Sequence, residues 1–195
     1  LGSSGSASGS GLEELAQLYA VFRDGGCEIV LSSVQGGAAP VDPMSLEDQW
    51  VSPVGQQFMK DAAAQAALAA TVRVDSLKAD DFDAVFVVGG AGGAWDFPGN
   101  TALIAFIEAI DRKGGVIGAI CHGSVVLAEV KGADGQALVR GRPVTSVSNA
   151  EEELVGFDKI VPILPEEALK RACGLYMAAP PFAANVVQDG DLFTG

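Results

Sequence analysis

The fold of this chain is decided by one stretch, Gly114-Gly115-Val116-Ile117-Gly118-Ala119-Ile120-Cys121-His122-Gly123-Ser124. A short apolar strand runs directly into a cysteine, a histidine and a glycine, and a helical stretch follows over residues 125–131. This order predicts a strand-to-helix turn with a nucleophile at its tip, where glycines permit close approach of the backbone. The free N–H groups at the start of the helix are expected to lower the pKa of Cys121 and to favour the reactive thiolate.

The composition is that of one ordinary globular domain, with 195 residues of which 49% are hydrophobic and 19% charged. A net charge of −13 argues against nucleic acid or an anionic membrane as the main partner. Three cysteines without framework spacing indicate a reducing compartment, and a single histidine disfavours a zinc site. No apolar run approaches the ~20 residues that span a bilayer. We therefore expect a cytoplasmic protein, or an organellar one if a targeting segment is missing.

Strand and helix patterns alternate along the chain, which predicts an α/β sandwich around a mostly parallel sheet. Residues 35–57 are rich in Gly, Pro, Asp and Gln and are predicted to form a long loop. Because ligands of such folds sit at the carboxyl ends of the strands, Gly89-Gly90 and Cys121 are expected to face one crevice. The predicted helices are 12–23, 62–70, 101–113, 151–157 and 165–173, and the predicted strands are 27–33, 82–88, 116–120, 143–148 and a closing hairpin around 189–191.

Several ordered segments together resemble one known group of proteins. They are Leu12-Glu13-Glu14-Leu15-Ala16, Phe82-Asp83-Ala84-Val85 leading to Gly89-Gly90, Trp95-Asp96, Ile120-Cys121-His122-Gly123, Thr145 through Asn149-Ala150-Glu151-Glu152-Glu153, and Asp189-Gly190-Asp191-Leu192-Phe193-Thr194-Gly195. The set resembles the PfpI-type superfamily, which is related to class I glutamine amidotransferases and includes relatives of the Parkinson-disease protein. Within it, the chain is similar to the branch of glutathione-independent glyoxalases (glyoxalase III) and heat-shock chaperones.

This resemblance implies a flavodoxin-like three-layer sandwich with a mostly parallel central sheet and a cysteine nucleophile elbow. It implies one PfpI-type domain over residues 1–195, and the family's usual first strand and last helix are expected to be missing from it. Residues 2–11 contain only Gly, Ser and Ala, a composition typical of a disordered tail or linker. The resemblance instead implies that they are the family's loop leading to the active-site glutamate.

The resemblance also assigns catalytic residues one by one. Cys121 matches the nucleophile, Glu14 the glutamate beside it, and His122 the histidine that follows the cysteine. Glu152 matches the third, acidic member, although the adjacent Glu151 and Glu153 leave the register open. Without the resemblance, Glu14 would be interpreted as a solvated charge on a helix, since most glutamates are exposed.

Substrate and oxyanion contacts are implied for four further residues. Gly90, beside Gly89, and the backbone N–H of His122 match the oxyanion-binding positions. Trp95 and Asp96 are expected to line the pocket, and the alternative is a core tryptophan with a helix-capping aspartate. Two positions depart from the family pattern: Ala91 stands where this branch usually has histidine, and Ser124 stands where it usually has proline. The first departure would weaken or redirect the activity if that histidine binds substrate or transfers protons.

The function implied is that of a glutathione-independent glyoxalase, which converts methylglyoxal or glyoxal to a 2-hydroxy acid through a hemithioacetal on Cys121. No cofactor and no metal is expected. One alternative is a stress-response holdase for unfolded protein clients, or a redox sensor in which Cys121 is oxidised. Another is a cysteine amidohydrolase, peptidase or protein deglycase that uses the same Cys-His pair. A homodimer is the expected assembly.

Overall fold

The computed structural model describes residues 1–3 and 5–195, so Ser4 of the segment 2–11 lies outside the described residues. Strands and helices alternate along most of the chain. The strands are β1 (Ser32–Ser33), β2 (Val72–Arg73), β3 (Ala84–Val87), β4 (Val116–Ala119), β5 (Pro143–Val144), β6 (Leu175–Tyr176), β7 (Val187–Asp189) and β8 (Leu192–Thr194). The α-helices are α1 (Leu12–Asp24), α2 (Pro53–Lys60), α3 (Ala62–Ala69), α4 (Gly93–Asp96), α5 (Thr101–Arg112), α6 (Asn149–Val155) and α7 (Pro165–Arg171), and 3₁₀ helices cover Pro43–Leu46, Val74–Ser76, Ala79–Asp81 and Cys121–Ala128.

The central sheet has the strand order β3-β4-β8-β7. Strands β3, β4 and β8 run parallel, and β7 joins the edge as the antiparallel half of the predicted closing hairpin. Two small parallel pairs, β1 with β2 and β5 with β6, stand apart from this sheet in their hydrogen bonding. The prediction of an α/β fold with mostly parallel strands is therefore confirmed.

Helices cover both faces of the central sheet, as the alternation of side chains along β3 shows. Val87 packs into the larger core cluster together with Ile107 and Ile110 of α5. Phe86 points to the other face, where its ring centroid lies 6.3 Å from that of Phe22 in α1. Since successive residues of a strand face opposite sides, α5 and α1 lie on opposite faces of the sheet, and the result is the expected three-layer sandwich.

Several predicted elements are shorter than the sequence pattern suggests. The strand predicted for 27–33 is reduced to β1, because only Ser32 and Ser33 pair with a neighbouring strand. The strands predicted for 82–88 and 143–148 narrow to β3 and β5 for the same reason. The helix predicted for 125–131 is also wrong in its bounds: it is a 3₁₀ helix that begins at Cys121 itself and ends at Ala128.

The prediction of a long loop over 35–57 is wrong in its second half, where α2 begins at Pro53. The Ser52 hydroxyl accepts hydrogen bonds from the N–H groups of Val54 and Gly55, and Pro53 occupies the first helical position. Serine before proline is a strong helix-start signal. The Gly- and Pro-rich residues upstream concealed this signal in the sequence.

The end of the Gly- and Ser-rich segment is part of the folded structure. The Ser10 N–H donates to the Pro40 carbonyl at 2.9 Å, and the Asp42 N–H donates to the Ser10 carbonyl at 2.9 Å. The Gly11 N–H donates to the Gly89 carbonyl at 3.3 Å. The interpretation of this part as a disordered tail is therefore wrong, and the segment leads directly into α1.

Candidate active site

Cys121 lies at the turn between β4 and the 3₁₀ helix Cys121–Ala128, at the carboxyl end of the central sheet. Its φ is +55°, in the left-handed region that side chains other than glycine rarely adopt. The turn is held by the Cys121 N–H, which donates to the Gly195 carbonyl at 2.8 Å, and by the Gly123 N–H, which donates to the Ile120 carbonyl at 2.8 Å. A side chain at Gly123 would overlap the Val87 carbonyl, so only glycine lets the turn pack on β3. Strained backbone of this kind is typical of functional sites.

Glu14 reaches this turn from the first turn of α1. One of its carboxylate oxygens accepts a hydrogen bond from the Gly89 N–H at 2.8 Å, and the Cys121 thiol donates to the same carboxylate. Burial raises the pKa of Glu14, and the Asp42 charge adds to the rise, while the bonds from Gly89 and Cys121 oppose it. A carboxyl with a raised pKa beside a thiol suits proton transfer near neutral pH.

The prediction that the pKa of Cys121 is lowered is wrong. Loss of hydration raises the pKa of the thiol well above its ordinary value, and the negative charge of Glu14 raises it further. Hydrogen bonds from the backbone N–H groups of His122 and Gly90 lower it, but by less. The helix start does stabilise the thiolate, as the sequence suggested, but burial next to a carboxylate outweighs it.

His122 and Glu152 form a buried pair on the other side of the sulfur. The Nδ1 atom of His122 lies 3.3 Å from the Sγ of Cys121, and its Nε2 lies 3.2 Å from each carboxylate oxygen of Glu152. The contact of Nε2 with Oε2 has the geometry of a hydrogen bond, whereas Oε1 lies within ion-pair distance of Nε2 without a hydrogen bond. Since a carboxylate can only accept, Nε2 carries a proton and Nδ1 is left to face the sulfur.

Of the three consecutive glutamates, Glu152 is therefore the one that contacts His122. Glu151 instead accepts hydrogen bonds from the Ser148 N–H at 2.7 Å and from the Phe182 N–H at 2.8 Å, and Glu153 is exposed. The register that the sequence left open is fixed by the start of α6, where Ser148 and Glu151 form a capping box. The capping box turns the next residue, Glu152, towards the core.

Gly89 and Gly90 lie against the cysteine, as predicted. Gly90 has φ +109°, and a side chain there would overlap the Gly9 carbonyl, so the position requires glycine. A Cβ at Gly89 would lie 2.6 Å from the Glu14 carboxylate and 2.7 Å from the Cys121 Cβ. The backbone N–H groups of Gly90 and His122 both point at Sγ, which is the arrangement that an oxyanion next to that sulfur would use.

Trp95 and Asp96 share a cavity with Gly89 of the site. They lie on α4 and line a cavity of about 620 Å³ whose other walls include Leu31, Phe86 and Gly89. Cys121 is not part of its lining. The Trp95 side chain is half-buried and Asp96 is exposed, and their predicted role at the substrate stays a prediction.

Two residues next to the site carried no signal that the sequence analysis used. The hydroxyl of Ser8 accepts from the Gly92 N–H at 3.0 Å and donates to the Asp42 carboxylate at 2.8 Å. Asp42 also caps the 3₁₀ helix Pro43–Leu46 by accepting from the Met44 N–H at 2.9 Å. The Asp-Pro pair at positions 42 and 43 is a helix-start signal that could have located the cap, although not its contact with Ser8.

The chain as described offers no group of three or more His, Cys, Asp and Glu side chains that could hold a metal ion. Its helices are also too short or too polar, over residues 1–3 and 5–195, to cross a membrane.

The family of this chain is shown by comparison of its sequence with known proteins. The sequence profile of the DJ-1/PfpI family matches residues 6–195. The chain belongs to the DJ-1/PfpI family. The resemblance to PfpI-type proteins is thus confirmed over nearly the whole chain, including the segment that carries Ser8 and Gly9.

Members of the DJ-1/PfpI family that are similar to this chain include named glyoxalases. A glutathione-independent glyoxalase of Schizosaccharomyces pombe is 28% identical over 192 residues, covering 93% of this chain and 78% of that protein. The crystal structure of glyoxalase III from Candida albicans superposes with a TM-score of 0.91 at 24% identity, over 99% of this chain and 84% of that one. The Rapid Encystment Protein 24 KDa of Francisella tularensis superposes with a TM-score of 0.93 at 33% identity, over 99% of this chain and 85% of that one.

Proposed function

We propose that this chain is a glutathione-independent glyoxalase that converts methylglyoxal or glyoxal to lactate or glycolate. The observation that carries the proposal is the set of groups that surround the Cys121 sulfur. A carboxylate lies on one side of it, and the His122 Nδ1 lies 3.3 Å away on another. Backbone N–H groups of Gly90 and His122 point at the same atom. This combination supplies a nucleophile, two proton carriers and an oxyanion site around one reacting atom.

The first step in this proposal is attack of the Cys121 sulfur on the aldehyde carbon. The thiol proton passes to Glu14, which already accepts it in a hydrogen bond. The C–S bond forms as the C=O π bond opens, and the negative charge moves to the former aldehyde oxygen. The N–H groups of Gly90 and His122 hold that oxygen, which is then protonated to give a hemithioacetal.

The second step moves a proton between the two substrate carbons. Glu14 or His122 removes the hydrogen from the carbon bonded to sulfur and gives an enediolate, and the neighbouring carbon is then protonated. The carbon bonded to sulfur is thereby oxidised to a thioester while its neighbour is reduced to an alcohol. Water releases the 2-hydroxy acid and restores the thiol. The overall change adds one water to the substrate, so its balance needs no glutathione, nicotinamide or other external oxidant.

His122 is suited to the hydrolytic step. Glu152 holds the imidazole through Nε2, and the free Nδ1 faces the sulfur side of the site. Such a base can activate the water that attacks the thioester, following the logic of a Cys-His-acid triad. Both side chains are buried, which keeps the ring in one orientation.

The experiment that tests the function follows lactate from methylglyoxal in the absence of glutathione. We expect lactate from the natural protein and none above background from Cys121→Ser. Cys27→Ser and Cys173→Ser are matched controls, because both cysteines are exposed, and they should keep full activity. A folded protein that yields no lactate would refute the proposal.

The other interpretations predict different results in the same preparation. A cysteine hydrolase would form an acyl-enzyme with activated esters. In a holdase, the Cys121→Ser variant would suppress the aggregation of client proteins as well as the parent does. The homodimer and the cytoplasmic location stay predictions, and sedimentation of the purified protein would test the first. The small aldehyde is the partner that the proposal requires.

A further inference from the structure

Three segments that are distant in the sequence meet beside the candidate oxyanion site. They are residues 8–11, residues 40–45 and the loop 89–92, which links β3 to α4. Backbone bonds join the first two segments through Ser10, and the Gly11 N–H joins the first to the third at Gly89. Side chains add one more connection, in which Ser8 lies between the loop and Asp42.

The direction of this connection is fixed by chemistry. The Gly92 N–H can only donate, so the Ser8 hydroxyl accepts from it at 3.0 Å and gives its own proton to the Asp42 carboxylate at 2.8 Å. Asp42 is only 7% exposed, and its other oxygen is occupied by the Met44 N–H. A hydrogen bond to a buried carboxylate is among the stronger kinds.

We propose that Ser8 and Asp42 are positioning residues that hold the loop 89–92 where its Gly90 N–H points at the Cys121 sulfur. The loop sequence Gly-Gly-Ala-Gly has almost no side chains with which to pack itself in place. Glycine backbone is also the most conformationally free. The Gly90 carbonyl accepts from the Gly93 N–H at 2.9 Å, and Ser8 adds the side-chain bond that holds the far end of the loop at Gly92.

Asp42 takes part in the connection as its acceptor. One of its carboxylate oxygens accepts from the Ser8 hydroxyl and the other accepts from the Met44 N–H, so both oxygens are in use at once. Loss of the Ser8 hydroxyl should therefore release Gly92, whereas loss of one Asp42 acceptor oxygen should weaken the hold on Ser8.

Three variants separate these effects in a background that carries Cys27→Ser and Cys173→Ser, so that Cys121 is the only thiol. Ser8→Ala removes the connection to Gly92, and Ser8→Thr restores its hydroxyl. Asp42→Asn keeps the size but leaves one acceptor oxygen for two donors, the Ser8 hydroxyl and the Met44 N–H. The matched controls are Ser76→Ala, an exposed serine bonded to a backbone carbonyl, and Asp61→Asn, which caps α3 as Asp42 caps its own helix.

The first measurement is the rate of Cys121 alkylation by iodoacetamide at pH 8.5, which does not depend on any enzymatic activity. Ser8→Ala should react about twofold more slowly, because a displaced Gly90 N–H stabilises less thiolate and the higher nucleophilicity of that thiolate offsets only part of the loss. Ser8→Thr and the controls should match the parent. General loosening of the fold would expose the thiol and speed the reaction, so an equal or faster rate in Ser8→Ala overturns the proposal.

The second measurement applies the same alkylation to Asp42→Asn, which should react more slowly than the parent because Ser8 loses part of its anchor. Asp61→Asn should match the parent. A rate in Asp42→Asn equal to or faster than that of the parent overturns the role of Asp42.

The third measurement is kinetic and rests on the proposed glyoxalase function. Ser8→Ala should lower kcat about 10-fold with little change in KM, because the oxyanion forms only after binding. Ser8→Thr should recover most of the rate. A kcat within twofold of the parent overturns the positioning role. If the parent itself makes no lactate, the proposed function fails, while the alkylation results still decide this inference.

Discussion

Gly89→Ala should separate the nucleophile from its carboxylate with a single methyl group. The new Cβ would lie 2.6 Å from the Glu14 carboxylate, 2.7 Å from the Cys121 Cβ and 2.8 Å from the Ile120 carbonyl. Ordinary van der Waals contact begins at 3.4 Å, so the first two contacts are too short by about 0.7–0.8 Å. Because one of the crowded atoms is backbone, rotation of a side chain cannot relieve the overlap.

The expected loss follows from this displacement. A misplacement of about 1 Å in a reacting group can cost roughly 100-fold in rate, so we expect kcat/KM for methylglyoxal to fall about 50–100-fold. Overpacking should also cost about 1–3 kcal/mol of stability. In a protein of this size, that corresponds to a fall of about 2–4 °C in Tm for each kcal/mol.

The assay is lactate formation together with thermal unfolding of the same preparations. Gly132→Ala is the matched control, because the nearest atom to its new Cβ would be an Asp134 carboxylate oxygen at an ordinary 3.5 Å. Its activity should equal that of the parent. If folded Gly89→Ala keeps kcat/KM within threefold of the parent, Glu14 and Cys121 do not act together and the proposed proton transfer is wrong.

Two further predictions concern the acidic residues of the site. The folded-state pKa of Glu14 is raised, so the contribution of Glu14 to stability is fully present below its ordinary pKa of 4.5 and is lost as the pH rises through the folded-state pKa. Glu14→Gln should therefore lose activity yet have a higher Tm than the parent at pH 8, and this difference in Tm should vanish near pH 4. An equal Tm of the two proteins at both pH values would contradict the raised pKa. The Glu152→Gln variant keeps the size of the side chain but no longer fixes the tautomer of His122, so its kcat should fall about 100-fold. Glu153→Gln, a substitution of the exposed neighbour, is the control and should keep the parent rate. Equal rates in the two variants would remove Glu152 from the mechanism.

Helix α5 shows what a strong periodic pattern can predict. Leu103, Phe106, Ile107 and Ile110 recur at helical spacing, and all four are buried against the central sheet. The strand before Cys121 and the closing hairpin were likewise predictable, because an apolar run or a turn signal bounded each of them. In these elements the local sequence and the tertiary environment favour the same structure, so local reasoning succeeds.

Local reasoning failed where the deciding partner lies far along the chain. The helix start beside Cys121 favours a low thiol pKa, yet Glu14 on a different helix, together with burial, reverses the direction. The contact between Ser8 and Asp42 is equally invisible, since nothing in either local pattern indicates that they meet.

The reversed pKa of Cys121 also bears on which function fits the site. Burial raises the pKa of both Glu14 and Cys121, and a negative charge on Glu14 opposes a second one on the sulfur. A double negative charge on the pair is therefore disfavoured, and the resting sulfur has little standing thiolate. A redox sensor depends on such a thiolate, because susceptibility to oxidation follows thiolate character. Attack on an aldehyde does not need a standing thiolate. The aldehyde oxygen accepts hydrogen bonds from the Gly90 and His122 N–H groups only as the C–S bond forms, and Glu14 can take the thiol proton at the same moment. Stabilisation that arises in the transition state and not in the resting enzyme is what accelerates a reaction, so this geometry favours the glyoxalase over the sensor.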